Sequence, residues 1–387
     1  MAEIDILIYG ATGFTGRLVT EYLGRKYPDR SWGIAGRNRE KLAAIRDELD
    51  LKKDVPLVIA DASDPASIDA MIHQAKVIIT TVGPYQLYGE PLVAACAASG
   101  TDYVDLCGEP SFMWDMIEKY HEQAKASGAR IVHSCGFDSV PSDMGVYFLQ
   151  QESKRRFGAP LKDIKGRLRS MKGTFSGGTA ASGKATMASA MKNPDVMRKL
   201  SSPFALTPGF KGPQQPNGNT PYEDEAFGTW VAPFFMAPVN TKNVHRSNML
   251  LGHPYGKDFT YEEMMFTGPG EKGEAIARHI AGANPLTGQD DLKPGDGPSR
   301  EERENGSYDF MFSGLSEHGD RITVGVKGDM DPGYGSTSKI ISECALCLLE
   351  EAANAPGGVL TPAVAFGRAI IDRTQANAGL TFEVERS

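Results

Sequence analysis

The sequence predicts an α/β protein built on a doubly wound parallel sheet, with a second domain after it. Three observations carry this. An apolar run from Asp5 to Tyr9 stops at a glycine-rich turn, Gly10 to Gly16, and a helix-like stretch, Arg17 to Leu23, follows at once. Short apolar runs then alternate with helical patterns over the first 150 or so residues. Beyond Gln150 the texture changes, and 387 residues are more than one ordinary core holds.

Ser31 to Gly36 is the second strand, with a helix from Asn38 to Leu49. Pro56 to Ala60 is the third, with a helix from Pro65 to Gln74. Lys76 to Thr81 is apolar enough to be buried on both faces and is the fourth; Glu90 to Ser99 is its helix. Asp102 to Leu106 and Arg130 to Ser134 are the fifth and sixth, with a helix from Pro110 to Ser127 between them. Ile164 to Gly173 reads as a strand and Thr179 to Met191 as a helix. Ser201 to Pro238 is dense in proline and glycine and reads as a long irregular loop or a lid; Asn284 to Pro298 is a second such stretch. Ser307 to Ser316 and Asp320 to Gly328 alternate around Glu317 to Asp320 as an antiparallel hairpin. Ser336 to Ala353 is the strongest helix of the second half.

The glycine turn carries the chemistry. A strand, a tight turn and a helix start are the setting that a dinucleotide needs. Gly10 allows the sharp turn, Gly13 lets a pyrophosphate approach the backbone, and Gly16 lets the helix pack close to the strand. The helix N-terminus offers free N–H groups and a positive dipole end to the phosphates, which puts Thr12, Phe14 and Thr15 beside them. The spacing is GxxGxxG, and a turn of this kind also serves purely structural βα connections.

At the end of the second strand an NAD-specific protein carries an acid for the ribose hydroxyls. Here the segment reads Ala35-Gly36-Arg37-Asn38-Arg39-Glu40-Lys41. A cation at Arg37, with Asn38 and Lys41 beside it, suits a 2′-phosphate, so the expected cofactor is NADP(H). The alternative is a set of solvated charges at a helix start. Asp61, ending the third strand, is a candidate for the adenine amino group or for a helix cap.

Two further strand ends complete the candidate site. Val82, Gly83 and Pro84 form a turn beside the expected nicotinamide ribose, and Tyr85 follows. Gly136, Phe137, Asp138 and Ser139 close the sixth strand, and Pro141 suits the first turn of the next helix. Tyr85 or Ser139 is the expected proton donor and Asp138 the orienting group, with simple capping as the alternative for Asp138 and Ser139. Glu109 reads as a cap and His133 as a satisfied core residue.

Composition bounds the partners. Net charge is −8 and the pI is near 5.5, which argues against nucleic acid. No apolar run reaches the ~18 residues of a membrane span, and no export signal is visible, so a cytoplasmic location is expected. Cys344 and Cys347 share one helix face without a second ligand pair, so buried thiols are expected there and no metal.

The motifs GATGFTG at 10–16, AGRNREKL at 35–42, TTVGPY at 80–85, YVDLCGE at 103–109 and CGFDSVPSD at 135–143 together resemble the saccharopine dehydrogenase-like oxidoreductases. Phe175 to Ser182 and Gly358 to Ala363 do so too, so the resemblance spans essentially the whole chain. It is strongest to the branch with the trans-acting enoyl reductases. It implies a Rossmann domain over 1–150, an inserted α+β domain over 151–333 for substrate or oligomerisation, and C-terminal helices over 334–387 that return to the first domain. The expected activity is NADPH-dependent reduction of an activated C=C bond. The apolar loop Thr229 to Met236 suits an acyl or isoprenoid-like chain, or else a core or homodimer contact. The alternatives are a saccharopine-type C=N/C–N oxidoreductase, for which Arg155, Arg156, Arg167 and Arg169 are available, and a non-catalytic NADP-binding protein.

Overall fold

The structure, a computed structural model, describes residues 4–174, 177–283 and 295–385, with only the backbone at 177–180. Phe175 and Ser176, and most of the glycine- and proline-rich stretch after Asn284, lie outside the described residues.

Apolar runs of three to six residues form the first sheet. Its strands are β1 (Ile4–Tyr9), β2 (Trp32–Gly36), β3 (Leu57–Ile59), β4 (Ala75–Thr80), β5 (Asp102–Asp105) and β6 (Arg130–Val132). The second sheet takes β7 (Asp163–Lys172), β8 (Tyr222–Asp224), β9 (Thr229–Pro233), β10 (Thr260–Gly268), β11 (Ser307–Leu315) and β12 (Arg321–Gly328). The chain then returns β13 (Gly358–Leu360) to the edge of the first sheet and sends β14 (Leu380–Glu385) to the edge of the second.

The first sheet runs β13-β6-β5-β4-β1-β2-β3 and is parallel throughout. The order reverses between β1 and β4. In an open parallel sheet ligands bind outside the carboxyl ends at such a switch point. Here those ends belong to Gly10 and Thr81. The second sheet runs β14-β12-β11-β7-β10-β9-β8; its one parallel pair is β7 with β10.

The hairpin expected after Ser307 is β11 and β12. The stretch from Ser201 to Pro238 differs from the expectation of one irregular loop. It contains β8 and β9, which pair with each other, and β9 also pairs with β10. Proline-rich flanks hide these short strands; β9 is held by pairing with distant β10, and β8 by pairing with β9.

One apolar core runs through both sheets, from Ile6 and Ile8 through Val140 and Met144 to Phe310 and Val326. Helix Val140–Phe157 joins them. A Cβ on its Gly145 would lie 2.3 Å from the Phe312 ring, so glycine lets the helix sit directly on β11.

Candidate functional site

The glycine turn is built as its spacing requires. Gly10 has φ +94°, and a Cβ there would meet Thr81 Oγ1 and Val82 Cγ2, both at 2.8 Å. A Cβ on Gly16 would lie 2.2 Å from Gly10 O, so this glycine lets helix Phe14–Lys26 start against the turn. Gly13 is different. Its φ is −79°, it is exposed, and a Cβ would meet only Gly10 O, at 3.3 Å. That single close backbone contact is milder than those at Gly10 and Gly16.

The helix that follows has no side-chain cap and no acid in its first turn. Its leading N–H groups and dipole face outward beside exposed Thr12 and Gly13. Thr12 Oγ1 lies 4.0 Å from where a Cβ of Gly36 would stand, which brings the turn to the end of β2. Arg37 is exposed there and makes no hydrogen bond or ion pair within 4 Å among the described residues. Its charge reaches Asp61 and Tyr9. Asn38 accepts from Lys41 N at 2.9 Å and caps helix Arg39–Glu48, while Lys41 is exposed. Asp61 accepts from Ser63 N at 2.9 Å and Ser63 Oγ at 2.8 Å, which hold its carboxyl below the usual range. Phe14 turns away from the phosphate side and packs edge-on against Tyr334, with the Arg303 guanidinium over its ring.

At the other strand ends, Val82 and Pro84 are half-buried and Gly83 is exposed. Tyr85 is buried. Its hydroxyl donates to Thr80 O at 3.2 Å and accepts from Leu106 N at 3.1 Å, which ties the end of β4 to the end of β5. Burial holds this phenol well above its ordinary pKa. Glu109 accepts from Tyr85 N at 3.0 Å and Gln86 N at 2.8 Å. It caps the short turn at Tyr85 rather than its own helix.

Gly136 is in close quarters: a Cβ would meet Asp138 Oδ2 and Leu106 at 2.7 Å. The Asp138 carboxyl lies between Gly136 and Gly108. Asp138 Oδ1 and Met236 Cε are each 3.8 Å from where a Cβ of Gly108 would be. Asp138 keeps a partial opening to the surface, yet loss of water raises its pKa from 3.8 to about 7. Ser139 stands at the N-cap of helix Val140–Phe157 but makes no capping bond; its hydroxyl is buried without a protein partner. The Phe137 ring goes into the second sheet, among Tyr308, Phe310 and Phe234, and only its backbone stays at the strand end, bonded to Thr337 Oγ1 at 2.9 Å.

Sequence reasoning missed Asp105. Fully buried, it accepts from Tyr103 OH (2.8 Å), Cys107 N (3.0 Å) and Ser134 N (2.9 Å), and its Oδ2 is 2.7 Å from His133 Nδ1. His133 was expected to be satisfied, but its Nε2 is buried without a partner. The register Tyr103↔Ile131 and Val104↔Val132 makes Asp105 and His133 neighbours, so aligning the two strands would have exposed the pair. Asp143, in the same motif as Asp138, is a buried tie. It accepts from Ser247 Oγ and Ala363 N, and burial raises it to about 7.

The domain family described as saccharopine dehydrogenase NADP binding domain matches residues 6–132. A putative trans-acting enoyl reductase of Mycobacterium tuberculosis is 42% identical, over 99% of this chain and 98% of its own. A trans-acting enoyl reductase of Mycobacterium ulcerans is 38% identical over 96% and 95%. The chain belongs to the saccharopine dehydrogenase-like oxidoreductases, in the trans-acting enoyl reductase branch. Among solved structures, the apo saccharopine dehydrogenase (L-Glu forming) of Saccharomyces cerevisiae aligns with a TM-score of 0.53 at 11% identity, covering 99% of this chain and 100% of that one, a likeness of fold.

As a member of this family the chain binds NADP(H). The residues fit the cofactor: an exposed Gly13, an uncapped helix N-terminus and an exposed guanidinium at the end of β2. Among the described residues no helix is long and apolar enough to cross a membrane, and no group of three or more His, Cys, Asp or Glu is placed to hold a metal. All five cysteines are buried and free.

Proposed function

We propose that this protein reduces an activated C=C bond of an acyl or isoprenoid-like substrate at the carboxyl ends of β4, β5 and β6. The observation that carries the proposal is the state of Asp138. Of the three strand-end candidates, Tyr85 has its hydroxyl satisfied by two backbone groups and Ser139 is wholly buried; Asp138 alone is a residue of intermediate burial, and desolvation raises its carboxyl to about 7.

Bound NADPH supplies the hydride. Gly10 to Gly16 and Arg37 hold it, with Asn38, Lys41 and Asp61 along the adenosine side and Val82, Gly83, Pro84 and Gly136 along the nicotinamide side. Asp138 delivers the proton to the carbon left electron-rich. Tyr85 ties the ends of β4 and β5 together beside it. Met236, beside the same glycine as Asp138, gives the substrate an apolar wall. The names of the full-length relatives support this chemistry.

The saccharopine-type alternative needs a cluster of free arginines for several carboxylates. Arg155 is paired with Glu152, Arg167 with Asp224 and Glu262, and Arg169 with Glu385; Arg156 lies over the Phe157 ring. A steady-state assay separates the two chemistries. NADPH oxidation with a crotonyl-type thioester is expected, and none with an amino acid plus a keto acid. The reverse pattern would overturn the proposal, and tight NADPH binding without any turnover would favour a non-catalytic protein.

A further inference from the structure

Helix Ala237–Leu250 is buried along most of its length and carries two buried cations without a carboxylate partner, Lys242 and Arg246. Arg246 is used internally. It donates to Leu206 O and Val359 O, both at 2.6 Å, and so ties two distant segments to the helix.

Lys242 is different, because it lines a cavity of about 280 Å³ between this helix, β10 and the segment from Leu200 to Asn219. The residue is 3% exposed. Its ammonium donates to Leu200 O at 2.8 Å and Pro238 O at 2.9 Å. An ammonium has three N–H donors, so one remains, and two neutral carbonyls leave the charge uncompensated. Burying a cation in this way is costly unless an anion accompanies it.

The cavity's own acids do not serve as that anion. Glu262 is held by Arg167 and by Tyr222 OH, the latter at 2.6 Å. Glu263 accepts from Asn240 Nδ2 at 2.6 Å and from Tyr261 OH. His245 stays neutral, since burial and the Lys242 charge lower its pKa to about 3, and its Nε2 is 3.1 Å from Gln215 Oε1. Neither carboxylate forms an ion pair with Lys242 within 4 Å among the described residues, so its remaining N–H has no acidic partner at the lining.

We propose that this cavity binds a small organic acid, with its carboxylate on Lys242 and its hydrocarbon against Phe234, Pro203 and Pro238. The volume is near the lower end of ligand pockets, roughly 300–1,000 Å³, which limits the guest to a few carbons. Exposed Asn217 and Asn219 form its mouth. Phe234 also packs edge-on against Phe137, so an occupant sits one aromatic ring from the loop that carries Asp138. The site is separate from the glycine turn and does not depend on which bond the protein reduces.

Butyrate is the probe, and butyramide is its uncharged match in shape. Calorimetric titration at fixed ionic strength should show saturable binding of butyrate to one site. Butyramide, and butyrate with Lys242→Met, should bind about ten-fold or more weakly, with NADPH affinity unchanged throughout. Absence of saturable butyrate binding by the unsubstituted protein, or equal binding by butyramide or by Lys242→Met, would overturn the proposal. If Lys242→Met does not fold, Gly218→Leu decides. A Cβ there meets only Glu263 O at 3.8 Å, so the side chain fills the cavity and leaves Lys242 in place. Loss of butyrate binding in that folded variant supports the site, and retention refutes it.

Discussion

The two halves of the first sheet's carboxyl edge treat polar groups in opposite ways. At the end of β1 the turn leaves its donors open: the N–H groups of an uncapped helix, an exposed Gly13, and an unpaired Arg37 nearby. Two strands away, at the ends of β5 and β6, Asp105 fills itself with Tyr103, Cys107, His133 and Ser134. Both places carry charge and stand at strand ends. The proposed function assigns the first to the cofactor and the second to the fold. It places Asp138, a residue of intermediate burial beside the Asp105 hub, with the first kind.

The largest effect should come from Asp138. Asp138→Asn is expected to lower kcat by roughly 10²–10⁴, with little change in NADPH affinity. In the unsubstituted protein kcat should fall as pH rises through about 7, because the carboxyl then loses the proton it delivers. The linkage runs the same way. A carboxyl raised from 3.8 to about 7 holds a proton in the folded state that the unfolded chain has released, so stability falls as pH rises across that window. A pH-rate profile that rises through neutrality would place Asp138 on the structural side of the comparison.

Asp105→Ala should act on the fold instead. It strands three donors and His133 Nδ1 in a dry interior, which costs about 3 kcal/mol or more and is read by thermal unfolding. A smaller loss, with NADPH binding abolished, would reverse the assignment. Smaller again is Arg37→Glu. The unsubstituted protein should bind NADPH at least about ten-fold tighter than NADH, and the variant should lose most of that preference in fluorescence titrations. Equal affinities before substitution would remove Arg37 from the site.

What was legible in the sequence follows the range of the interactions. Gly10, Gly13 and Gly16 announce themselves because a strand, a turn and a helix start are all local, and the strands of the first sheet are short apolar runs whose pattern needs no partner. β8 and β9 are hidden, since strands of three and five residues between prolines are strands only because β9 pairs with β10 and β8 with β9. Tyr85 reads as a proton donor, because the backbone groups that occupy its hydroxyl come from the ends of two strands. Asn38 and Asp61 carry ligand-like side chains, but local backbone uses them first, one as a helix cap and one in a turn with Ser63. Phe137 reads as a strand-end residue from its neighbours, while its ring direction is set by Tyr308 and Phe310 of the second sheet.

The most direct test takes one variant and two readings. In Gly13→Val the new side chain stands where the pyrophosphate would lie, while the backbone at φ −79° accepts it and the nearest structural atom is Gly10 O, 3.3 Å from the Cβ. Thermal unfolding and NADPH titration are measured on the same preparation. The expected result is an unfolding midpoint within a few degrees of the unsubstituted protein, about 1 kcal/mol or less, with NADPH binding lost. A folded variant that still binds NADPH would contradict the account, because the turn would then be structural and its open donors would mark no ligand site.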